Sequence, residues 1–206
     1  MASKDAKLFV IAAPSGAGKT TIVKALVTRN PDLCFSISYT TRQKRRTEVE
    51  GVDYLFVDVE KFERLRDEGE LLEFAEVFDN YYATSRSQVE KHLSEGRDVI
   101  LEIDWQGARQ VRESMPECVT IFILPPSLEE LERRLRDRRT DSPEVIERRL
   151  RDALSDMAHW DEFDHVIIND KLEQAVADLE NVLAGEGGAS ATANVALRRA
   201  VSRIIG

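Results

Sequence analysis

The chain has 206 residues, 42% of them hydrophobic, and a formal net charge of −9. That is enough apolar material for one core with insertions, and the acidity excludes a general attraction to nucleic acid or to an anionic membrane, so any phosphate site must be a local basic pocket. The two cysteines, Cys34 and Cys118, are too few and too far apart for a disulfide scaffold or a CxxC site and fit a reducing cytoplasm.

The polar opening Ser3-Lys4-Asp5-Ala6-Lys7 does not resemble a secretion signal, and no stretch is long enough to span a bilayer. Residues 8–13 form a continuous apolar run that stops at Pro14, which predicts a buried central strand with a helix starting near Gly18. Residues 36–86 interrupt this style with Tyr, Thr, Arg and Glu and with short strand-like pieces such as Tyr54-Leu55-Phe56-Val57. Residues 99–103 and 119–124 are rich in β-branched side chains and predict two more buried strands, with a shorter one at 166–168. Apolar positions three or four apart, at Leu128, Leu131 and Leu135, at Val145, Ile146 and Leu150, and at Leu172, Val176, Leu179 and Leu183, predict amphipathic helices. The segment 129–156 among these is arginine-laden. Residues 185–191 have the composition of a flexible linker. Beyond them Leu197, Ala200, Val201, Ile204 and Ile205 mark one helical face, and Arg198, Arg199 and Arg203 another. This last helix would fold onto its own core or reach a neighbouring subunit in a homo-oligomer. Strands alternating with helices predict an α/β fold with a mostly parallel sheet covered on both faces.

Pro14-Ser15-Gly16-Ala17-Gly18-Lys19-Thr20 is most of a Walker A loop. Its glycines let backbone N–H groups turn onto an anion and the next helix adds its positive end. Lys19 reaches the β- and γ-phosphates of a nucleoside triphosphate, and the Thr20 hydroxyl can ligate magnesium. Ala13 replaces the usual first glycine, which extended backbone permits. Glu102 and Asp104, two apart at the end of a strand, share a face and would serve the metal and its waters; solvated acids at a strand end are the plainer alternative.

Ser38-Tyr39-Thr40-Thr41-Arg42-Gln43-Lys44-Arg45-Arg46 and Gly51-Val52-Asp53-Tyr54 cluster cations and hydroxyls in an otherwise acidic chain. Such a group suits a phosphate monoester, since arginine binds it bidentately and tyrosine adds hydrogen bonds. Glu73 lies among apolar neighbours. A carboxylate there accepts the N1–H and 2-amino donors of guanine together and meets adenine N1 acceptor to acceptor, so it is a candidate guanine reader. A helix-terminal acid is the alternative.

The run 13–21, the SxTTRxxR element at 38–45, Gly51-Val52-Asp53-Tyr54-x-Phe56, Glu73, Asn80-Tyr81-Tyr82 and Ile103-Asp104-Trp105-Gln106-Gly107 stand in the order and spacing of guanylate kinases. The chain resembles that family from about residue 8 to residue 183. The resemblance implies a P-loop NTPase three-layer fold in which a core of residues 1–37, 87–128 and 157–185 carries a mixed α/β GMP-binding subdomain at 38–86 and a helical lid at 129–156. Residues 186–206 would be the flexible linker and the C-terminal amphipathic helix.

It also implies Mg2+-dependent phosphoryl transfer from ATP to GMP, and to dGMP. Residues Ala13, Pro14, Ser15, Gly16, Ala17, Gly18, Lys19, Thr20, Thr21 and Asn169 would bind ATP. Ser38, Glu73, Thr84 and Asp104 would surround the guanine, and Arg42, Arg45, Tyr54 and Tyr82 would hold the GMP phosphate. Lys19, Arg134, Arg138 and Arg149 would act on the moving phosphoryl group. The metal would bind Thr20 directly, and Glu102 and Asp104 through water. The family usually has glycine where this chain has Ala83, and a positive φ there would strain an alanine and displace Thr84.

A monoester phosphate has its second pKa near 6 and is largely dianionic at neutral pH, so no general base is needed. None of His92, His159 and His165 falls in a motif, and each reads as structural or solvated. Two other readings compete. An interaction module could keep the phosphate pocket without transfer, but such modules erode the loop that is intact here. A kinase for dTMP or a ribosyl phosphate would not need Glu73 with Ser38.

Overall fold

In the computed structural model, which describes residues 6–77, 79–137 and 143–206, β1 (Leu8–Ala12) is buried along its whole length, as its unbroken apolar run requires. The chain then turns at Gly18 into α1 (Lys19–Arg29) and returns through β2 (Cys34–Phe35). Two strands of two residues each follow, β3 (Tyr39–Thr40) and β4 (Leu55–Phe56). Helix α2 (Val59–Asp67) starts at Asp58, whose carboxylate accepts the Lys61 N–H, and ends before Gly69 at φ +74°. It leads into the antiparallel pair β5 (Leu71–Val77) and β6 (Asn80–Ser85). Ser85 caps α3 (Arg86–Ser94), and β7 (Val99–Glu102) and α4 (Trp105–Ser114) come next. Strand β8 (Val119–Leu124) has the predicted bounds, while α5 (Leu128–Asp137) and α6 (Pro143–Met157) account for the described residues of the arginine-laden segment. The chain closes with β9 (His165–Ile168), α7 (Leu172–Leu183) and α8 (Val195–Ile205). No helix among the described residues is long and apolar enough to cross a membrane.

A five-stranded parallel sheet runs in the order β2-β7-β1-β8-β9, and a four-stranded mixed sheet in the order β4-β3-β6-β5. The first is the predicted parallel sheet, with its central strands β7, β1 and β8 supplying Ile11, Ile100, Ile121 and Phe122 to the core at zero exposure. The chain divides into two compact units. One holds Met1–Val10, Pro31–Leu101 and Gln106–Cys118, and the other Ile11–Asn30, Glu102–Trp105 and Val119–Gly206.

The segment whose composition suggests a flexible linker is folded. Gly187–Ala189 makes a short 3-10 turn, the Val166 N–H donates to Ser190 O at 2.8 Å, and the Thr192 N–H donates to Asp164 O at 2.9 Å. Gly187 is there for close packing: a Cβ would lie 2.8 Å from Val182 Cγ2 and 2.9 Å from His165 Cε1. Asn194 then caps α8 through the Ala196 and Leu197 N–H groups. Val201 and Ile204 of α8 are buried within the chain itself, and the Arg198 guanidinium stands 4.9 Å from the centre of the Trp160 ring.

Candidate functional site

The loop between β1 and α1 takes its shape from two glycines, Gly16 and Gly18, both at φ +93°. Gly18 is the N-cap of α1, so Lys19 and Thr20 open the helix at its positive end. Their side chains turn toward the end of β7. Lys19 Nζ donates to Ile103 O at 2.6 Å, and the Thr20 hydroxyl donates to the Glu102 carboxylate at 2.5 Å. Asp104 follows two residues on and is half-buried. Among the described residues no group of three or more His, Cys, Asp or Glu side chains could hold a metal by itself.

The far side of the loop is tied down at one atom. Ala17 O accepts from Asn169 Nδ2 at 2.7 Å and from Arg134 Nη1 at 3.2 Å, while Arg134 Nη2 donates to Asn169 O at 2.9 Å. Glu130 holds Arg134 through Nε at 2.7 Å. The family resemblance puts Arg134 near the moving phosphoryl group, and in this structure its donors go to Ala17 O of the loop, to Asn169 O and to Glu130 of its own helix. Gly18 has no room to change. A Cβ there would lie 2.4 Å from Asn169 Nδ2, on a backbone that L side chains rarely adopt. Gly18→Ala is expected to lose about 1–2 kcal/mol to backbone strain alone and to weaken ATP binding at least about tenfold, as measured by thermal unfolding and titration calorimetry.

Helix α6 carries Arg149, half-buried, and Arg138 lies outside the described residues. The end of α6 is joined to the start of α4: the Trp105 indole N–H donates to Asp156 Oδ1 at 3.0 Å, and its ring stacks on His159 with centroids 3.6 Å apart. Burial pushes the Asp156 carboxyl above its usual range, and the indole hydrogen bond opposes that shift. His159 and His165 both serve packing. Burial lowers the His165 pKa, favouring the neutral ring.

In the other unit, Glu73 sits on β5 and not at a helix end. A register shift between Leu71 and Glu73 breaks the alternation of the strand, and Leu71, Leu72 and Glu73 are all buried in succession. Glu73 is 3% exposed and pairs across the sheet with Thr84, 1% exposed, whose hydroxyl donates to Glu73 Oε1 at 2.7 Å. Ala83 lies fully buried in β6, opposite Tyr39 and Phe74. The only non-glycine residue with positive φ among those described is Asp79, so the strain that a left-handed Ala83 would impose on Thr84 does not arise.

Arg42 is framed on three sides. Its Nη2 and Nη1 donate to the two oxygens of Glu48 at 2.8 and 3.2 Å, Nη1 also donates to Gln43 O at 2.8 Å, and Nε donates to the Tyr82 hydroxyl at 3.2 Å. The Arg42 guanidinium lies 5.4 Å from the Tyr54 ring centre, and Tyr54 meets Tyr82 edge-on at 5.9 Å. Glu48 also accepts the Arg45 backbone N–H at 2.8 Å, while the Arg45 side chain is open to solvent. The Arg42 hydrogen bonds hold the Glu48 carboxyl below its usual range. Ser38 stands just before β3, with its carbonyl accepting the Leu55 N–H at 2.9 Å. Sequence reasoning did not single out Glu48, although it is the first acid after the basic run 42–46 and the natural counter-ion for it.

Two glycines that turn a loop into a helix start, a lysine and a threonine on that start, and acidic side chains at the end of the neighbouring strand define a P-loop phosphotransferase. The model of the family described as guanylate kinase matches residues 5–186. The guanylate kinase of Alkalilimnicola ehrlichii is 54% identical over 175 residues, covering 85% of this chain and 86% of that protein. That of Aromatoleum aromaticum is 57% identical over 176 residues, with coverage of 85% and 86%. A crystal structure of guanylate kinase from Anaplasma phagocytophilum superposes with a TM-score of 0.74 at 35% identity, covering 98% of each chain. The chain belongs to the guanylate kinase family and is a nucleoside monophosphate kinase.

Proposed function

We propose that this chain catalyses Mg2+-dependent transfer of the γ-phosphoryl group of ATP to GMP, and to dGMP, giving ADP and the guanosine diphosphate, in cytoplasmic purine metabolism and GMP recycling. The observation that carries the choice of acceptor is the buried Glu73–Thr84 pair. A carboxylate can accept two adjacent donors together, and guanine presents such a pair in N1–H and the 2-amino group, whereas adenine meets it acceptor to acceptor. Ser38 and Asp104 complete the guanine surround. Arg42, Arg45, Tyr54 and Tyr82 take the GMP phosphate. Since Glu48, Gln43 and Tyr82 engage most of the Arg42 guanidinium, its remaining Nη2 hydrogen is the one offered to that phosphate.

The loop 13–21 holds the triphosphate, and Asn169, which bonds to that loop at Ala17, lies beside the adenine. A GMP phosphate oxygen attacks the γ-phosphorus as the bond to the β,γ-bridging oxygen breaks, and ADP leaves with that electron pair. The attacking group is already a dianion, so the protein needs to orient the two nucleotides and neutralise charge, through Lys19, Arg134, Arg138 and Arg149. The Thr20 hydroxyl and the Glu102 carboxylate lie within hydrogen-bond reach of each other, a set of hard oxygen donors suited to Mg2+. Thr20 would hold the ion directly and Glu102 and Asp104 through water, and when bound it would neutralise charge on the β- and γ-phosphates.

Residues 129–156 act as the lid over a core of 1–37, 87–128 and 157–185, with 38–86 as the GMP-binding part. Arg149→Ala should lower kcat about a hundredfold or more and leave GMP affinity within about twofold. Unaltered turnover would remove Arg149 from the lid. A coupled assay of ADP formation with GMP, AMP, dTMP and UMP tests the reaction itself. Rapid ADP production with GMP alone is expected, and none with GMP would refute it.

A further inference from the structure

Gln110 of α4 makes a contact that a helical surface residue has no local reason to make. The Phe74 N–H donates to Gln110 Oε1 at 3.1 Å, and Gln110 Nε2 donates to Phe74 O at 2.8 Å. Strand β5 is an outer strand of the four-stranded sheet, so among the described residues the N–H and C=O groups on its open side have no neighbouring strand to meet. The carboxamide of Gln110 supplies one donor and one acceptor to the same residue, as a strand partner would.

The position of this clip matters because Phe74 directly follows Glu73. On its other side Glu73 adjoins the register shift, where the regular ladder to β6 is interrupted. The Glu73 backbone thus lies between a bulge and a residue fixed from outside by Gln110. Accepting two donors at once depends on the angle of the carboxylate plane as well as its distance. A displacement of about 1 Å is enough to be felt strongly in kinetics.

We infer that Gln110 is a positioning residue for purine selection: by clamping β5 at Phe74 it holds the Glu73 carboxylate in the plane where guanine N1–H and the 2-amino group can both reach it. This rests on the assignment of Glu73 as the guanine reader.

Three variants of the full chain test it, Gln110→Leu, Gln110→Glu and Glu73→Gln, with kcat and KM measured for GMP and AMP at saturating ATP and Mg2+. Gln110→Leu removes both hydrogen bonds. Its GMP KM should rise about tenfold with kcat within about threefold, and its preference for GMP over AMP should fall in parallel. Gln110→Glu keeps an acceptor for the Phe74 N–H but, when ionised, sets a negative oxygen against Phe74 O. Protonation restores a donor there, so its GMP KM, relative to wild type at the same pH, should recover as the pH is lowered from about 7 toward about 4, through the usual range of a glutamate carboxyl. Wild-type KM and preference in Gln110→Leu, alongside lost preference in Glu73→Gln, would overturn the clamp and leave the guanine reader standing. Wild-type preference in Glu73→Gln would overturn the reader and the clamp with it. Should Gln110→Leu fail to fold, Gln110→Glu decides alone, and a GMP KM ratio that does not change with pH overturns the inference.

Discussion

Lys19→Ala should give a folded protein that binds GMP as the wild type does and turns over at least about a thousandfold more slowly, as measured by the coupled ADP assay and by calorimetry with GMP. The size of the effect follows from where the ammonium stands. Lys19 is the first residue of α1, half-buried, and Ile103 O holds its Nζ at 2.6 Å. The ammonium thus stands at the loop end of the parallel sheet, and with ATP bound, charge developing on the transferred group would meet this cation. Alanine removes that charge while preserving the helix, since it is the best helix former. The Glu73, Arg42 and Tyr82 groups belong to the other unit and keep their own hydrogen bonds. Loss of GMP affinity in step with turnover would show that Lys19 acts on the fold rather than on the phosphoryl group.

How far the sequence could be read depends on how local each signal is. Strands β1 and β8 are continuous apolar runs because they lie in the middle of a parallel sheet, and their bounds match to within a residue. The phosphate loop is equally plain, since Gly16, Gly18, Lys19 and Thr20 are neighbours in sequence and in space. Strands β3 and β4 have two residues each and carry no periodicity. The bulge at Leu71 and Glu73 removes the alternation that would have marked β5, which is why an acid at a helix end stayed open as a reading of Glu73. Gly187 shows the opposite error. A glycine-rich composition suggests freedom, whereas here the missing side chain lets the backbone pack against His165 and Val182. Arg134 shares a helix with other arginines, and only the three-dimensional structure reveals its bonds to Ala17 O and Asn169 O. Gln110 and Phe74 are 36 residues apart, and no pattern along the chain links them.

Glu73→Gln separates selectivity from stability. The ratio of kcat/KM for GMP over AMP should fall about a hundredfold or more, while the melting temperature stays close to that of the wild type. Glutamine offers one acceptor and one donor where glutamate offers two acceptors, so one of the guanine donors then faces an N–H group. The glutamine N–H can donate to the N1 acceptor of adenine, which the carboxylate could only repel, so AMP should gain where GMP loses. Thr84 can still donate to the remaining carbonyl oxygen, which keeps the cross-strand pair between β5 and β6 intact. A destabilised variant with unchanged discrimination would mean that Glu73 is retained for the sheet. A stable variant that accepts AMP would mean that the acid is there to read guanine.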